Sequence, residues 1–409
     1  MMLSNLKRSS LQTIIFYLFV LTIFLIAFQR NMGDDPFNYA GPFPIDAKPL
    51  LHMPERLDSG VNIYAETQLA PIYKYSPSLA VIVSYIFPEN FSDRYVFLRL
   101  FYCIIYFSSL LVLFRSKTFK GLALILLGVL ISWRSIGQTL SMGQAEMAAF
   151  GLAIWGYFFW SKNKLLGAFI LALLPVFKLP WGFLLIPALI EAIRDNTFKD
   201  AVLAYCASFL FYFLFIPLMG LGLEGSIAMY QDWIIGISNQ SELTFLNGSN
   251  QSLFGVLLRA EQSLPWTGLI LRPLFLILVG FYLYNLVVDL LDEPKRDEPL
   301  RLVPWLILLF LINPLGWNWS DHMIVGAPAF IYFYKTGADK KFLIPISIGL
   351  LFLLKTWVGR SFDLDNRIGI FSPSLMTLHW LVFLTLLLPA WSKVKQRLMF
   401  GLKKVRLSY

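Results

Sequence analysis

The chain has 409 residues, of which 57% are hydrophobic and only 14% are charged. Soluble domains carry about 25% charged residues, so this composition excludes an ordinary soluble fold. The net charge of +9 does not indicate a nucleic-acid-binding protein, because most basic residues lie in short segments between apolar runs, where membrane orientation explains them. Cys103 and Cys206 both lie inside apolar runs, so no disulfide or metal framework is predicted.

Apolar runs that approach the length of a membrane span recur along the chain. A spanning helix needs about 20 mainly apolar residues. The candidate runs are 11–29, 95–114, 119–136, 145–161, 164–177, 179–193, 200–222, 266–290, 301–313, 322–334, 341–358 and 374–392. They predict an all-α polytopic membrane protein of about 10–12 transmembrane helices, built as one integral membrane domain over 1–409.

The distribution of basic residues predicts which connections between these runs lie on the cytoplasmic side of the membrane. With a cytoplasmic N-terminus, most of the 34 Lys and Arg residues fall in short inner segments or in the tail 393–409. The positive-inside rule therefore selects this orientation, with both termini cytoplasmic. Two long loops, 30–94 and 223–265, then lie outside, where long ordered loops usually carry function. The loops separate three sets of spans, at 11–29, 95–222 and 266–392.

Interrupted helices indicate where a site lies. The segments 164–177 and 179–193 flank the sequence FKLP and are only about 21–22 Å long each, which is too short to span a bilayer. Whether this pair crosses or re-enters is open. The run 76–87 is shorter still, and we expect a re-entrant or interfacial helix that begins and ends outside. Irregular backbone at membrane depth persists only where protein buries it or it lines a cavity, so the breaks favour an outer-face site.

Lys178 lies within the FKLP interruption. An ammonium at the centre of a membrane helix costs about 2.5–3.5 kcal/mol on insertion scales. An anionic partner would offset that cost, which makes Lys178 a candidate binding residue. The alternative is that its side chain extends to the outer interface.

Two carboxylates follow the first span directly, at Asp34 and Asp35. A solvated helix end is one explanation. The loop that follows is rich in Pro and aromatic residues, however, and is expected to fold back over the membrane and cover them. A partly covered carboxylate is a candidate general base; Asp46 and Glu66 in the same loop are weaker candidates.

Further polar residues lie at the outer ends of later spans and in the second outer loop. Gln144 opens a span, and polar residues of the large loop precede an amphipathic stretch that ends in Arg259. A His beside an Asp and flanked by Trp is suited to bind a sugar or a phosphate. A plain solvent-facing loop or an interface belt is the alternative in each case. The remaining candidates are Asn250, Gln251, Ser252, Trp319, Asp321 and His322.

Six short motifs, taken in order, resemble glycosyltransferase family 87, the polyprenol-phosphate-mannose-dependent mannosyltransferases of the GT-C superfamily. The resemblance covers about residues 11–335. The chain departs from the family pattern at two motifs: Ser76-Pro77 stands where the family has Pro-Pro, and Asp321-His322 stands where it has a pair of His. The motifs are Asp35-Pro-Phe-Asn-Tyr39, Gly60-Val-Asn-Ile-Tyr64 with Tyr75-Ser-Pro77, Gly143-Gln144, Gly167 with Lys178-Leu-Pro180, Asn250-Gln-Ser-Leu253 with Arg259, and Pro314 with Trp319-Ser-Asp-His322.

The resemblance implies a GT-C type bundle with outer-face loops and short re-entrant or interfacial helices. It implies transfer of a sugar, with mannose favoured, from a polyprenyl phosphate to a lipid-linked or cell-envelope glycan, with inversion and without metal or cofactor. Asp35 would be the base, with Asp34 as its rival. The donor phosphate and sugar would contact Tyr75, Gln144, Lys178, Arg259 and His322. The acceptor or headgroup would contact Asn250, Gln251, Ser252, Trp319 and Asp321.

The expected location is a bacterial inner membrane, with the active site facing the periplasm. A secondary transporter is the main alternative, with a midplane site at the broken helices around Lys178. A transporter, however, concentrates its polar groups within its spans. A non-catalytic structural or lipid-handling membrane protein is the third possibility.

Overall fold

A computed structural model describes the helical centre of the chain. It covers residues 48–60, 62–64, 73, 75–114, 139, 143, 145–238, 257–258, 261–262, 264–292 and 298–312. These residues are mostly helical and include no β-strand. The predicted spans 11–29, 119–136, 322–334, 341–358 and 374–392 lie outside the described residues, as does the tail 393–409.

The described helices follow the predicted runs closely. In chain order they are α1 (Lys48–Leu51), α2 (Met53–Asp58), α3 (Pro77–Ile86), α4 (Phe91–Phe114), α5 (Glu146–Trp160), α6 (Lys164–Ala172), α7 (Leu174–Phe177), a 3-10 helix (Leu179–Leu184), α8 (Leu185–Arg194), α9 (Phe198–Leu210), a π-helix (Phe211–Phe215), α10 (Ile216–Ser238), α11 (Thr267–Asp292), a second 3-10 helix (Glu298–Arg301) and α12 (Leu302–Ile312).

Three helical stretches in the described part are long and apolar enough to cross a membrane. They are Asp93–Leu113, Phe198–Ser238 and Gly268–Leu291. Large apolar side chains such as Leu269 and Leu276 are exposed along α11. A helix whose apolar residues face outward is suited to contact lipid rather than water.

Helix α5 lies at the centre of the packing and is buried along nearly its whole length. It packs against α4 on one side and α6 on the other. Gly151 permits the contact with α4, because a Cβ there would lie 2.6 Å from the Ile105 carbonyl oxygen. Gly167 of α6 likewise meets the backbone of Trp160. Small residues allow membrane helices to approach closely, and α5 is held in this way from both sides.

Helix α5 extends between two polar clusters. Glu146 begins the helix and pairs with Lys178. At the other end, Tyr157 lies within electrostatic range of Glu191, which is 3.4 Å from Arg301. We name Glu191, Arg194 and Arg301 the inner cluster, because both arginines fall in segments that the sequence predicts to be cytoplasmic. The cluster lies near the end of α5 opposite Glu146.

The segments on either side of Lys178 also reach from one cluster to the other. Helices α6 and α7 run beside α5, and α8 carries Glu191 and Arg194 at its end. The sequence predicts that both segments are too short to cross, which assumes a rise of about 1.5 Å per residue. Residues 179–184 form a 3-10 helix, which rises about 2.0 Å per residue, so 179–194 is about 27 Å long. The segment is therefore longer than an α-helix of the same number of residues but still shorter than the hydrocarbon core of about 30 Å, and whether the pair crosses or re-enters stays a prediction.

The helical run Phe198–Ser238 reverses direction at Gly222. This residue has φ 69° and ψ −178°, a conformation that only glycine adopts without strain. The Tyr230 hydroxyl donates to the Phe213 carbonyl at 2.5 Å, across 17 residues, whereas a straight helix would separate them by about 26 Å. The chain after Gly222 therefore folds back along the preceding helix.

The first part of the predicted second outer loop, 223–265, is helical. Residues 223–238 are helical because apolar side chains continue at helical spacing beyond the turn. Met229, Trp233 and Ile237 pack against the core. Glu224 and Asp232 interrupt the apolar run in the sequence, which is why a loop is predicted there.

Candidate functional site

Lys178 interrupts the helical backbone, as the sequence predicts. Its φ of −157° and ψ of 113° are extended, so helix α7 ends there and a 3-10 helix begins at Leu179. Pro180 favours the break, because a proline has no backbone N–H to donate to the Val176 carbonyl and is tolerated only in the first turn of the helix that follows. The Lys178 carbonyl accepts a hydrogen bond from the Trp181 amide at 2.9 Å, which keeps the interruption compact.

Glu146 is the anionic partner of Lys178. The Lys178 ammonium donates a hydrogen bond to Glu146 Oε1. About a third of the lysine side chain is exposed, at 32%, whereas the glutamate side chain is 4% exposed. Glu146 begins α5, and the positive end of the helix dipole also favours a carboxylate at that position. The pair offsets the cost of holding either charge away from water.

The start of helix α3 is attached directly to the segment before Lys178. Ser76 is buried and caps α3 by accepting from the Leu79 amide at 3.3 Å. Its hydroxyl donates to the Val176 carbonyl at 2.8 Å. That carbonyl lies in the last turn of α7, where carbonyls lack a helical partner. The hydroxyl therefore holds the first outer loop against the lysine break.

Tyrosines surround this attachment. The Tyr64 hydroxyl donates to the Tyr75 carbonyl at 3.1 Å, and the Tyr73 hydroxyl donates to the Ser76 carbonyl at 3.2 Å. The Tyr73 ring lies 5.5 Å from that of Tyr64 and 5.4 Å from that of Tyr75. Burial raises the pKa of the Tyr64 and Tyr73 hydroxyls well above their usual value, so both remain hydrogen-bond donors at any physiological pH.

The folded-back arm of α10 completes one side of the site. The Tyr230 hydroxyl lies 3.5 Å from the Ser78 hydroxyl at the start of α3. A Cβ on Gly236 would lie 3.7 Å from Tyr64, which places this face of α10 against the tyrosine. Asp232, one helical turn before Gly236, is within electrostatic range of Tyr64. A carboxylate that the sequence assigns to a loop thus lies beside the tyrosine cluster.

Tyr102 contributes a buried hydroxyl on the α4 side of the site. The residue has no exposed surface, and its hydroxyl has no hydrogen-bond partner in the described part of the chain. It lies within electrostatic range of Glu146. We use the name lysine site for Tyr75, Tyr102, Glu146 and Lys178 together.

Comparison with family models, curated proteins and solved structures finds no match to this chain. The site is therefore interpreted from its own chemistry.

Of the predicted site residues, Tyr75 and Lys178 are described, and the structure brings their segments together through Ser76 and Val176. The other predicted residues lie outside the described part of the chain. They are Asp34, Asp35, Gln144, Asn250, Gln251, Ser252, Arg259, Trp319, Asp321 and His322. Gly143, next to Gln144, has a φ of 68° and lies just before Glu146, so the Gly-Gln motif precedes the lysine site.

Three residues of the site are absent from the sequence-based candidates: Tyr102, Glu146 and Asp232. A signal exists for Glu146, because it is a lone carboxylate at the start of an apolar run, in a chain with a lone lysine at a helix break. Intramembrane charges usually pair with one another. No comparable signal marks Tyr102 or Asp232.

The arrangement offers donors for an anion and no evident metal site. Within the described ranges, no three His, Cys, Asp or Glu side chains gather as metal ligands. Lys178 is partly exposed, and an accessible ammonium is suited to a phosphate or another compact anion. The Tyr75 ring, on the segment attached to the lysine break through Ser76, is a candidate apolar surface for a sugar or an isoprenoid chain.

Proposed function

We propose that the protein is a membrane glycosyltransferase that moves a sugar, mannose by preference, from a polyprenyl phosphate to a lipid-linked or cell-envelope glycan at the outer face of the membrane. The observation that carries this proposal is the attachment of the Tyr75-Ser-Pro77 helix start to the lysine break. Tyr64 contacts the same point, and Gly143 lies just before the partner of Lys178. Three motifs of the family resemblance, distant from one another in sequence, thus support one site.

The chemistry fits such a site. The acceptor oxygen forms a bond to the anomeric carbon of the sugar, while the bond from that carbon to the phosphate oxygen breaks with its electron pair. The acceptor proton passes to a carboxylate, for which we propose Asp35 or its neighbour Asp34. General base catalysis of this kind contributes about 10²–10⁴-fold. Lys178 would stabilise the charge that develops on the departing phosphate.

The position of the charges favours an enzyme over a secondary transporter. Lys178 and Glu146 lie at helix ends, beside the segment that carries Ser76, and we propose that this segment faces outward; a transporter would instead hold its site at the bilayer midplane. A transporter would also need a path to the opposite face. From Lys178 that path follows α5, whose residues are mostly buried and apolar.

The proposal is tested by incubating the purified protein with polyprenyl-phosphate sugars and total membrane glycolipids. We expect a product whose mass is increased by one sugar residue. Asp35→Asn should abolish the product without reducing membrane insertion, and Asp58→Asn, at an exposed residue of the same loop, is the matched control. Sugar uptake into sealed vesicles without a new product would favour the transporter instead. Full activity of Asp35→Asn would exclude Asp35 as the base.

A further inference from the structure

The reaction proposed above changes the charge on the lipid phosphate. The donor is a phosphodiester, which carries one negative charge. Loss of the sugar leaves a phosphomonoester, whose second pKa is about 6 and whose charge near neutral pH therefore approaches two. A site that holds the donor through a lone lysine would hold the departing lipid more tightly than the donor.

Glu146 changes the relative affinity of the site for the donor and for the departing lipid. It pairs with Lys178 and is almost fully buried, so water screens its charge only weakly. The other titratable group that the structure brings within electrostatic range of the carboxylate is Tyr102, on α4. Any phosphate that contacts the Lys178 ammonium must also lie close to the Glu146 carboxylate.

We infer that Glu146 sets the charge selectivity of the lysine site, so that it accepts a singly charged phosphodiester and releases a doubly charged phosphomonoester. The inference rests on the proposed function and concerns the regulation of product release at that same site. Glu146 is a positioning residue here, since it acts through Lys178 and through its charge and does not take part in bond breaking.

The size of the effect follows from Coulomb's law. One extra charge about 8 Å from a carboxylate, at an effective dielectric constant of about 20, changes the affinity by at least about ten-fold. Glu146→Gln removes the charge while keeping an oxygen that can accept from the Lys178 ammonium. Comparison of this variant with the wild type therefore measures the effect of the Glu146 charge, because the variant keeps the packing of the side chain.

The test uses the full-length protein in phosphatidylcholine nanodiscs, with two probes of the same chain length: farnesyl monophosphate and farnesyl methyl phosphodiester. Their dissociation constants are measured by calorimetry at pH 5 and pH 8. For Glu146→Gln we expect about ten-fold tighter binding of the monophosphate at pH 8 than at pH 5, because the probe gains its second charge between these values. Binding of the diester should be the same at both pH values.

The wild-type protein provides a second measurement that needs no variant. Its affinity for the monophosphate should not rise between pH 5 and pH 8, since Glu146 opposes the added charge. Glu55→Gln is the control, because Glu55 pairs with Arg94 on the outer surface and not with Lys178. An equal rise in the wild type and in Glu146→Gln would overturn the inference and leave the proposed function intact. Failure of both probes to bind the wild type would overturn both.

Discussion

Ser76 is predicted to stabilise the site more than any other single hydroxyl of the described chain. Ser76→Ala removes the donor to the Val176 carbonyl at 2.8 Å and the cap of α3. A buried carbonyl left unsatisfied costs about 1–3 kcal/mol, and loss of a helix cap costs about 0.5–2 kcal/mol. Because one oxygen makes both contacts, the two costs overlap, and we expect the free energy of unfolding to fall by about 2–3 kcal/mol.

The measurement is a denaturant titration of the purified protein in detergent micelles, followed by tryptophan fluorescence. Ser84→Ala is the matched control, since the Ser84 hydroxyl donates to the Val81 carbonyl of its own helix and its loss should change stability by less than about 0.5 kcal/mol. Ser76→Thr keeps a hydroxyl and should restore most of the loss. If Ser76→Ala and Ser84→Ala unfold at the same denaturant concentration, the first outer loop is not held by this contact.

Two further predictions concern the reversal of α10 and the orientation of the chain. Gly222→Ala should destabilise the protein by about 1–3 kcal/mol, because alanine is strained at a φ of 69°. Gly280→Ala, inside α11 with no atom within 4 Å of its new Cβ, should stabilise by about 0.5–1 kcal/mol, because alanine is favoured over glycine in a helix interior. Equal melting temperatures for the two variants would refute the backbone explanation. In a Cys206→Ser background, Glu89→Cys should react with an impermeant maleimide in intact cells, whereas Ser161→Cys should react only after permeabilisation. The opposite pattern would invert the proposed topology.

Much of the helical framework could be predicted from the sequence, because long apolar runs have few alternatives. The predicted runs 95–114, 145–161 and 266–290 differ from α4, α5 and α11 by at most a few residues at each end. The break at Lys178 could be predicted for a related reason, since a proline lacks the backbone N–H that would continue the helix. These three runs and the break at Lys178 are therefore confirmed.

The contacts that the sequence did not indicate join residues that are distant in sequence. Nothing local indicates that the Ser76 hydroxyl bonds to a carbonyl 100 residues away. Residues 223–238 are helical because Trp233 packs in the core. This packing compensates for the polar residues of the segment. The role of Glu146 depends on the position of Lys178, 32 residues later.

The same non-local contacts explain why the helix break can persist at Lys178. An interrupted helix exposes backbone carbonyls that lipid cannot satisfy, and here Ser76 satisfies one of them while Trp181 satisfies the carbonyl of Lys178 itself. The ammonium is neutralised by Glu146, so both costs of the break are offset by neighbouring segments. Lys178 nevertheless keeps about a third of its side chain exposed, which a purely structural ion pair does not require. That exposure is the reason why we propose ligand binding at the break.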